Sequence, residues 1–120
     1  MKIASVALFS LLVAAPAVAG PSTSTTNNGV KVECEVTGSG DDGYSIYGTN
    51  TTKVKKTCTV SCDLTNKEGK KETFKANSRP VNAAPEGRSE SQKYYLEGVG
   101  GLKTPPYKSP AITSASCSNS

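Results

Sequence analysis

Four cysteines, Cys34, Cys58, Cys62 and Cys117, are the residues of this 120-residue chain whose type and spacing first suggest chemistry. Two of them share the stretch TCTVSCDL, residues 57–64, where they could grip a metal, form a redox pair or be two half-cystines. A structural zinc site needs four ligands, commonly His or a second close Cys pair. The chain has no His, and Cys34 and Cys117 stand alone, so no metal site is expected. Thioredoxin-type redox pairs have two intervening residues at a helix start, where the dipole lowers the thiol pKa. Here three residues intervene, and Thr59-Val60-Ser61 favours a strand. Disulfides remain. Four residues along a strand span about 13 Å, whereas bridged Cα atoms lie within about 7 Å. Cys58 therefore cannot bond Cys62 if the segment is extended. Two pairings survive: Cys34–Cys58 with Cys62–Cys117, or Cys34–Cys62 with Cys58–Cys117. A strand over 30–37 folding back on one that starts near Lys53 brings Cys34 nearer Cys58, so the first is expected.

Other chemistry is sparse. With no His and every cysteine bridged, the usual acid, base and nucleophile sets are missing, and no G-x-S-x-G elbow occurs. No enzyme activity and no cofactor are expected. Asp41-Asp42-Gly43 lacks the alternating oxygen donors of a calcium loop. Asn50-Thr51-Thr52 fits an N-glycosylation sequon, relevant in a eukaryotic secretory pathway. Lys53, Lys55, Lys71, Lys75 and Arg79 are expected on the outward face of a hairpin, where they form either a basic patch or a solvated face that discourages edge pairing. Acidic neighbours dilute that patch and no aromatic interleaves it, so no nucleic-acid partner is expected. Tyr44, Tyr47, Tyr94, Tyr95 and Tyr107 lie near Gly- or Pro-rich segments, either as a recognition surface or as filling for a core without Trp.

The elements that position these residues follow from pattern. Residues 1–19, MKIASVALFSLLVAAPAVA, have one charge at Lys2, a largely apolar run and an A-x-A site. This predicts a secretory signal peptide cleaved after Ala19. The apolar run is too short and too interrupted for a membrane span, which takes about 20 residues. An even cysteine count behind such a leader fits an oxidising compartment, so the protein is expected to be secreted or periplasmic. Net charge is a mild +4, one unit of it on Lys2. GPSTSTTNNG, residues 20–29, contains no large apolar side chain and is expected to be a flexible arm.

Beyond it the sequence alternates. VKVECEVT places Val30, Val32, Cys34 and Val36 on one face, the period of a half-buried strand. YSIYG, 44–48, is a short strand. Residues 53–64 form a strand with Val54, Cys58, Val60, Cys62 and Leu64 inward, and Lys56 on that same face. TNKEG, 65–69, turns the chain into KKETFKAN. A five-residue loop then pairs Val60 with Phe74, Cys58 with Ala76 and Asp63 with Lys71, leaving Glu72 opposite Cys62. RPVNAAPEGR, 79–88, is a connection, SESQKYYLEG a strand with Tyr94 and Leu96 on one side, VGGLKTPPYKSP an ordered loop, and AITSASC a last strand with Cys117, Ala115, Thr113 and Ala111 on one face.

The expected fold is all-β: a small disulfide-stapled antiparallel sandwich of the immunoglobulin-like kind, or an open barrel, of about five to seven strands within residues 30–118. The apolar set is thin for this length, so the staples matter. The expected function is a non-enzymatic exported module that binds or assembles through its loops, with an envelope or extracellular protein or a polysaccharide as partner. Two alternatives are a small inhibitor or effector that docks a protein target with VGGLKTPPYKSP, and a minor hydrolase.

Overall fold

The computed structural model describes residues 20–84 and 92–120; the expected signal peptide and the end of the 79–88 connection lie outside these. Seven antiparallel strands are present among the described residues: β1 (Ser22–Asn27), β2 (Val30–Thr37), β3 (Gly43–Asn50), β4 (Lys56–Thr65), β5 (Lys71–Val81), β6 (Lys93–Val99) and β7 (Lys108–Asn119). They form two sheets, of order β1-β2-β3-β6 and β5-β4-β7. The layers are those of a small β-sandwich. The connectivity is not the ABED/CFG order of constant immunoglobulin domains, because the first three strands run as a meander within one sheet.

Alternation builds the core between the sheets. Val30, Val32, Cys34 and Val36 of β2 and Tyr44 and Ile46 of β3 face Cys58, Val60, Cys62 and Leu64 of β4, with Ala76, Val81, Leu96 and Cys117 contributed by the edge strands. The sheets approach closely. A Cβ on Gly48 would stand 3.0 Å from the Val81 side chain, so even one methyl group would crowd the opposite sheet there.

The residues expected to be a flexible arm instead form β1, paired along its length with β2. Asn28 and Gly29, at φ 48° and 81°, make the two-residue turn between them, the conformation for which an Asn-Gly pair is favoured in hairpins. Poverty in apolar side chains does not prevent this, because an edge strand gains its place through backbone hydrogen bonds. Asn27 and Asn28 add two more. The Asn27 Oδ1 accepts the Cys117 N–H at 2.8 Å, and the Asn28 Nδ2 donates to the Cys117 carbonyl at 3.0 Å. These bonds join the β1 edge of one sheet to the β7 edge of the other.

They also explain the second disulfide. Because the Cys117 N–H and C=O point to β1, Cys117 and its partner across the ladder, Cys58, form a non-hydrogen-bonded pair, the type in which Cα atoms come closest. The two are bridged with Cα atoms 4.1 Å apart. The first disulfide joins Cys34 to Cys62 across the core, Cα to Cα 6.5 Å. The pairing Cys34–Cys58 with Cys62–Cys117 is thereby corrected. It assumed that β2 lies beside β4 in one sheet, whereas β3 is the neighbour of β2 and β4 lies in the opposite layer.

Two further expectations shift for local reasons. β4 starts at Lys56, not Lys53, and Val54 sits exposed in the preceding loop. Lys56 does face inward, nearly buried, with its Nζ 2.6 Å from Asn119 Oδ1. The β4–β5 hairpin keeps the expected faces but slides by two residues, pairing Val60 with Ala76, Cys62 with Phe74 and Thr65 with Lys71. Asn66 causes the slide. Its Oδ1 accepts the N–H groups of Glu68 and Lys70, which draws Asn66 into the turn and leaves Thr65 in the strand. Asp63 then meets Thr73, whose hydroxyl donates to it at 2.6 Å.

Irregularities at the sheet margins reset side-chain direction. The β4–β5 register changes between Cys58 and Val60, where Ser78 has φ 49° and donates its N–H to the Thr59 hydroxyl. Beyond that bulge Val81 is the inward residue. In β7 the register changes opposite Ser61 and Cys62, so Ile112 rather than Ala111 lies opposite Cys62. Ile112 is half-buried and Ala111 exposed.

Non-reducing peptide mapping is expected to recover Cys34–Cys62 and Cys58–Cys117 and no mixed pair. Removing the cross-core bridge in a Cys34→Ala/Cys62→Ala double variant is expected to lower unfolding stability by about 2–5 kcal/mol, read by chemical denaturation.

Candidate functional site

The tyrosines separate into two groups, and the fold decides which are available. Tyr44 and Tyr107 are buried, 4% and 1% exposed. Tyr44 lies against Phe74 with ring centroids 4.4 Å apart, and Tyr107 meets the same ring edge-on at 6.4 Å. Together these three rings plug one end of the sandwich. Burial, and then the nearby Glu97 and Tyr95, push the Tyr44 hydroxyl above its ordinary pKa, so it stays neutral in that plug. Tyr94 is half-buried opposite Gly48 and packs on the core, its hydroxyl donating to Gln92.

Tyr47 and Tyr95 point the other way, onto the outer face of the four-stranded sheet. They are cross-strand partners, edge to face, with centroids 6.0 Å apart. Tyr95 is 60% exposed. The Lys93 Nζ stands 4.4 Å from the Tyr47 ring centroid and 3.6 Å from Glu33 Oε1. Register sets this arrangement, because Ser24, Glu33, Tyr47 and Tyr95 lie in one row across β1, β2, β3 and β6. Gly98 contributes as well: a Cβ there would lie 2.6 Å from the Tyr95 hydroxyl, so glycine lets the ring lie along the sheet. Glu33 and Lys93 were not among the expected site residues, although Lys93 and Tyr95 stand two apart in a strand and so share a face.

The five basic residues do not assemble. Lys53 and Lys55 sit in the loop before β4, and Lys71 and Lys75 are exposed along β5. Arg79 lies beyond the bulge opposite the inward Cys58. It reaches Glu97 of the other sheet at 2.7 Å. Glu97 is itself redirected, by a register change in the β3–β6 pair that sets it opposite the inward Ile46. Arg79 is thus a clasp between β5 and β6 and not a member of an outward hairpin patch.

At the plugged end, three side chains from two loops converge on Glu72. Its Oε2 accepts from Asn66 Nδ2 at 2.8 Å and Thr104 Oγ1 at 2.8 Å, and lies 3.1 Å from the Tyr107 hydroxyl. Those bonds, led by Asn66 and then Thr104, hold its carboxyl below the ordinary carboxylate range. The inward carboxylate that disturbs the hairpin pattern is therefore the knot tying β5, the β4–β5 turn and loop 100–107 together.

Asn50 is also structural. It is fully buried at the end of β3. Its Nδ2 donates to the carbonyls of Val54 and Val81, and its Oδ1 accepts the N–H and hydroxyl of Thr52. The sequon amide is thus fully engaged within the fold. Asp41 and Asp42 use their carbonyls to hold Tyr107 and Leu102 N–H groups. Among the described residues no group of three or more His, Cys, Asp or Glu could hold a metal ion. All four cysteines are bridged, and no described helix is long and apolar enough to cross a membrane.

No protein-family model, curated protein or solved structure matches this chain.

Two outcomes follow from these polar hubs. Asn50→Ala leaves the buried Val81 carbonyl and the part-buried Val54 and Thr52 groups unmatched and is expected to cost about 1–3 kcal/mol in urea denaturation. For Glu72, the folded carboxyl titrates below its ordinary value of 4.5, so the unfolded chain binds the proton first as pH falls. Its stabilising contribution is present above pH 4.5 and declines as pH drops toward and through the folded pKa. The stability difference between the native chain and Glu72→Gln is expected to be level above that value and to shrink below it, measured by denaturation at a series of pH values.

Proposed function

We propose that this is an exported, non-enzymatic binding module that holds a polysaccharide on the outer face of its four-stranded sheet. The Tyr47–Tyr95 pair carries the reading: two aromatic rings, one of them largely exposed, on a rigid central-to-edge strand pair. Sugar rings present C–H groups that pack on aromatic faces, and tyrosine supplies such area with few torsions to immobilise. The surrounding row offers hydroxyls and a charged pair for hydrogen bonding, with Ser24 and Thr49 nearby on β1 and β3. Lys93 is matched by Glu33, which suits a neutral chain better than a polyanion.

The rest of the molecule supports this choice. Bridging removes every thiol from chemistry, and the sequence contains no imidazole. Two disulfides fit an oxidising, periplasmic or extracellular setting. The binding surface shifts from loops to a sheet face because three of the five tyrosines, Tyr44, Tyr107 and the half-buried Tyr94, pack on the core.

Retention on insoluble cellulose, chitin and peptidoglycan, and retardation in gels containing soluble xylan or β-glucan, test the proposal. Binding to at least one neutral polysaccharide is expected, weakened roughly tenfold or more by Tyr95→Ala, with the thermal unfolding midpoint little changed. No binding to any of them, or undiminished binding by the variant, overturns it.

A further inference from the structure

A different surface, at the plugged end of the sandwich, presents one basic side chain from a backbone held on both sides. Leu102 donates its N–H to Asp42 O at 2.7 Å, and Tyr107 donates to Asp41 O at 2.9 Å. The Thr104 carbonyl accepts the Lys67 N–H at 2.9 Å. The Thr104 N–H reaches the Tyr107 hydroxyl at 3.3 Å, and its Oγ1 reaches Glu72 at 2.8 Å. Pro105 and Pro106 follow, each with φ fixed by its ring. Between these anchors Lys103 is exposed. Among the described residues no ion pair engages its ammonium, and its N–H and C=O make no backbone hydrogen bond.

We propose that loop 100–107 is a substrate-like inhibitory loop for serine proteases of trypsin specificity, with Lys103 entering the primary specificity pocket. Such proteases carry a carboxylate at the base of that pocket, which selects a long basic side chain. The internal bonds use Leu102 and Thr104, the residues on either side, and leave the groups of Lys103 free for the protease. Preorganisation matters here, because a loop already ordered loses little entropy on docking.

The chemistry that follows is balanced within the protease and this loop. The protease serine Oγ would attack the Lys103 carbonyl carbon, and the Lys103–Thr104 peptide bond would break as the protease histidine delivers the serine proton to the Thr104 nitrogen. In a flexible substrate that amine departs and water hydrolyses the acyl-enzyme. Here Thr104 is held through its carbonyl, its N–H and its hydroxyl, so the amine stays beside the acyl carbon. Resynthesis of the peptide, which returns the proton to serine, then competes with hydrolysis.

Titration of trypsin and chymotrypsin with the full disulfide-bonded protein tests this. Near-stoichiometric inhibition of trypsin, with slow cleavage first at Lys103–Thr104, is expected. Lys103→Ala is expected to lose roughly 100-fold or more in inhibition constant. Lys103→Phe, equally exposed, is expected to lose trypsin inhibition and acquire inhibition of chymotrypsin, a switch that misfolding would not produce. Rapid hydrolysis of the native protein without inhibition, or equal potency in Lys103→Ala, overturns the proposal. Neither result depends on the Tyr47–Tyr95 surface, so polysaccharide binding stands or falls separately.

Discussion

The Cys34–Cys62 bridge sets the spacing to which the rest of this sandwich conforms. Stacked sheets ordinarily lie about 10 Å apart, yet these two cysteines hold interior strands of opposite sheets with Cα atoms 6.5 Å apart. The bridge's cross-strand neighbours are Ile46 beside Cys34 and Phe74 and Ile112 beside Cys62, with valines making up much of the remaining core, and at Gly48 the side chain is absent altogether. Chain closure supplies part of the stability that a deeper core would otherwise provide. Larger rings appear where the space is plugged, with Tyr44 and Tyr107 gathered around Phe74.

With the centre fixed by a covalent bond, the margins are closed by polar contacts. On one side, Asn27 and Asn28 bond the backbone of Cys117. On the other, Arg79 of β5 meets Glu97 of β6. Both members of that pair lie beyond register changes in their strands, and without those changes the alternation would send them outward. An exposed pair of this kind contributes little energy. Its value is in direction, because it occupies the inner margin between two edge strands with charged groups that an invading strand would have to displace.

The sequence made much of this legible. Period-2 alternation located β2, β4 and the inner set Val60, Cys62 and Leu64, and the extended geometry of TCTVSCDL correctly denied a Cys58–Cys62 bond. What escaped it was non-local. Choosing between the two surviving pairings required knowing that β3 separates β2 from β4, and no local pattern contains that. The turn at Asn28-Gly29 is different, since an Asn-Gly pair is itself a hairpin signal, whereas the expectation of a flexible arm rested on polar composition alone. Single-residue events were least legible: Ser78 at positive φ reversed the face of Arg79, and the Asn66 side chain moved a hairpin by two residues. Since side-chain direction has period 2, such events change which residues reach a surface without altering the strand count.

This last point explains why stability was easier to locate in the sequence than binding. The core depends on which residues face inward over whole strands, a property averaged over many positions. A binding surface depends on a few residues whose direction a single bulge can reverse. Tyr47 and Tyr95 share their outer row because the β3–β6 register changes beside them, between Ile46 and Tyr47. Lys103 is presented from a fixed backbone because Glu72, an acid that spoils the hairpin's pattern, collects Asn66 and Thr104 and approaches Tyr107 beneath the loop. In both places a departure from regular sheet geometry sets the outward residue. Departures of that kind are where recognition should be sought on a scaffold whose interior is already committed to two disulfides.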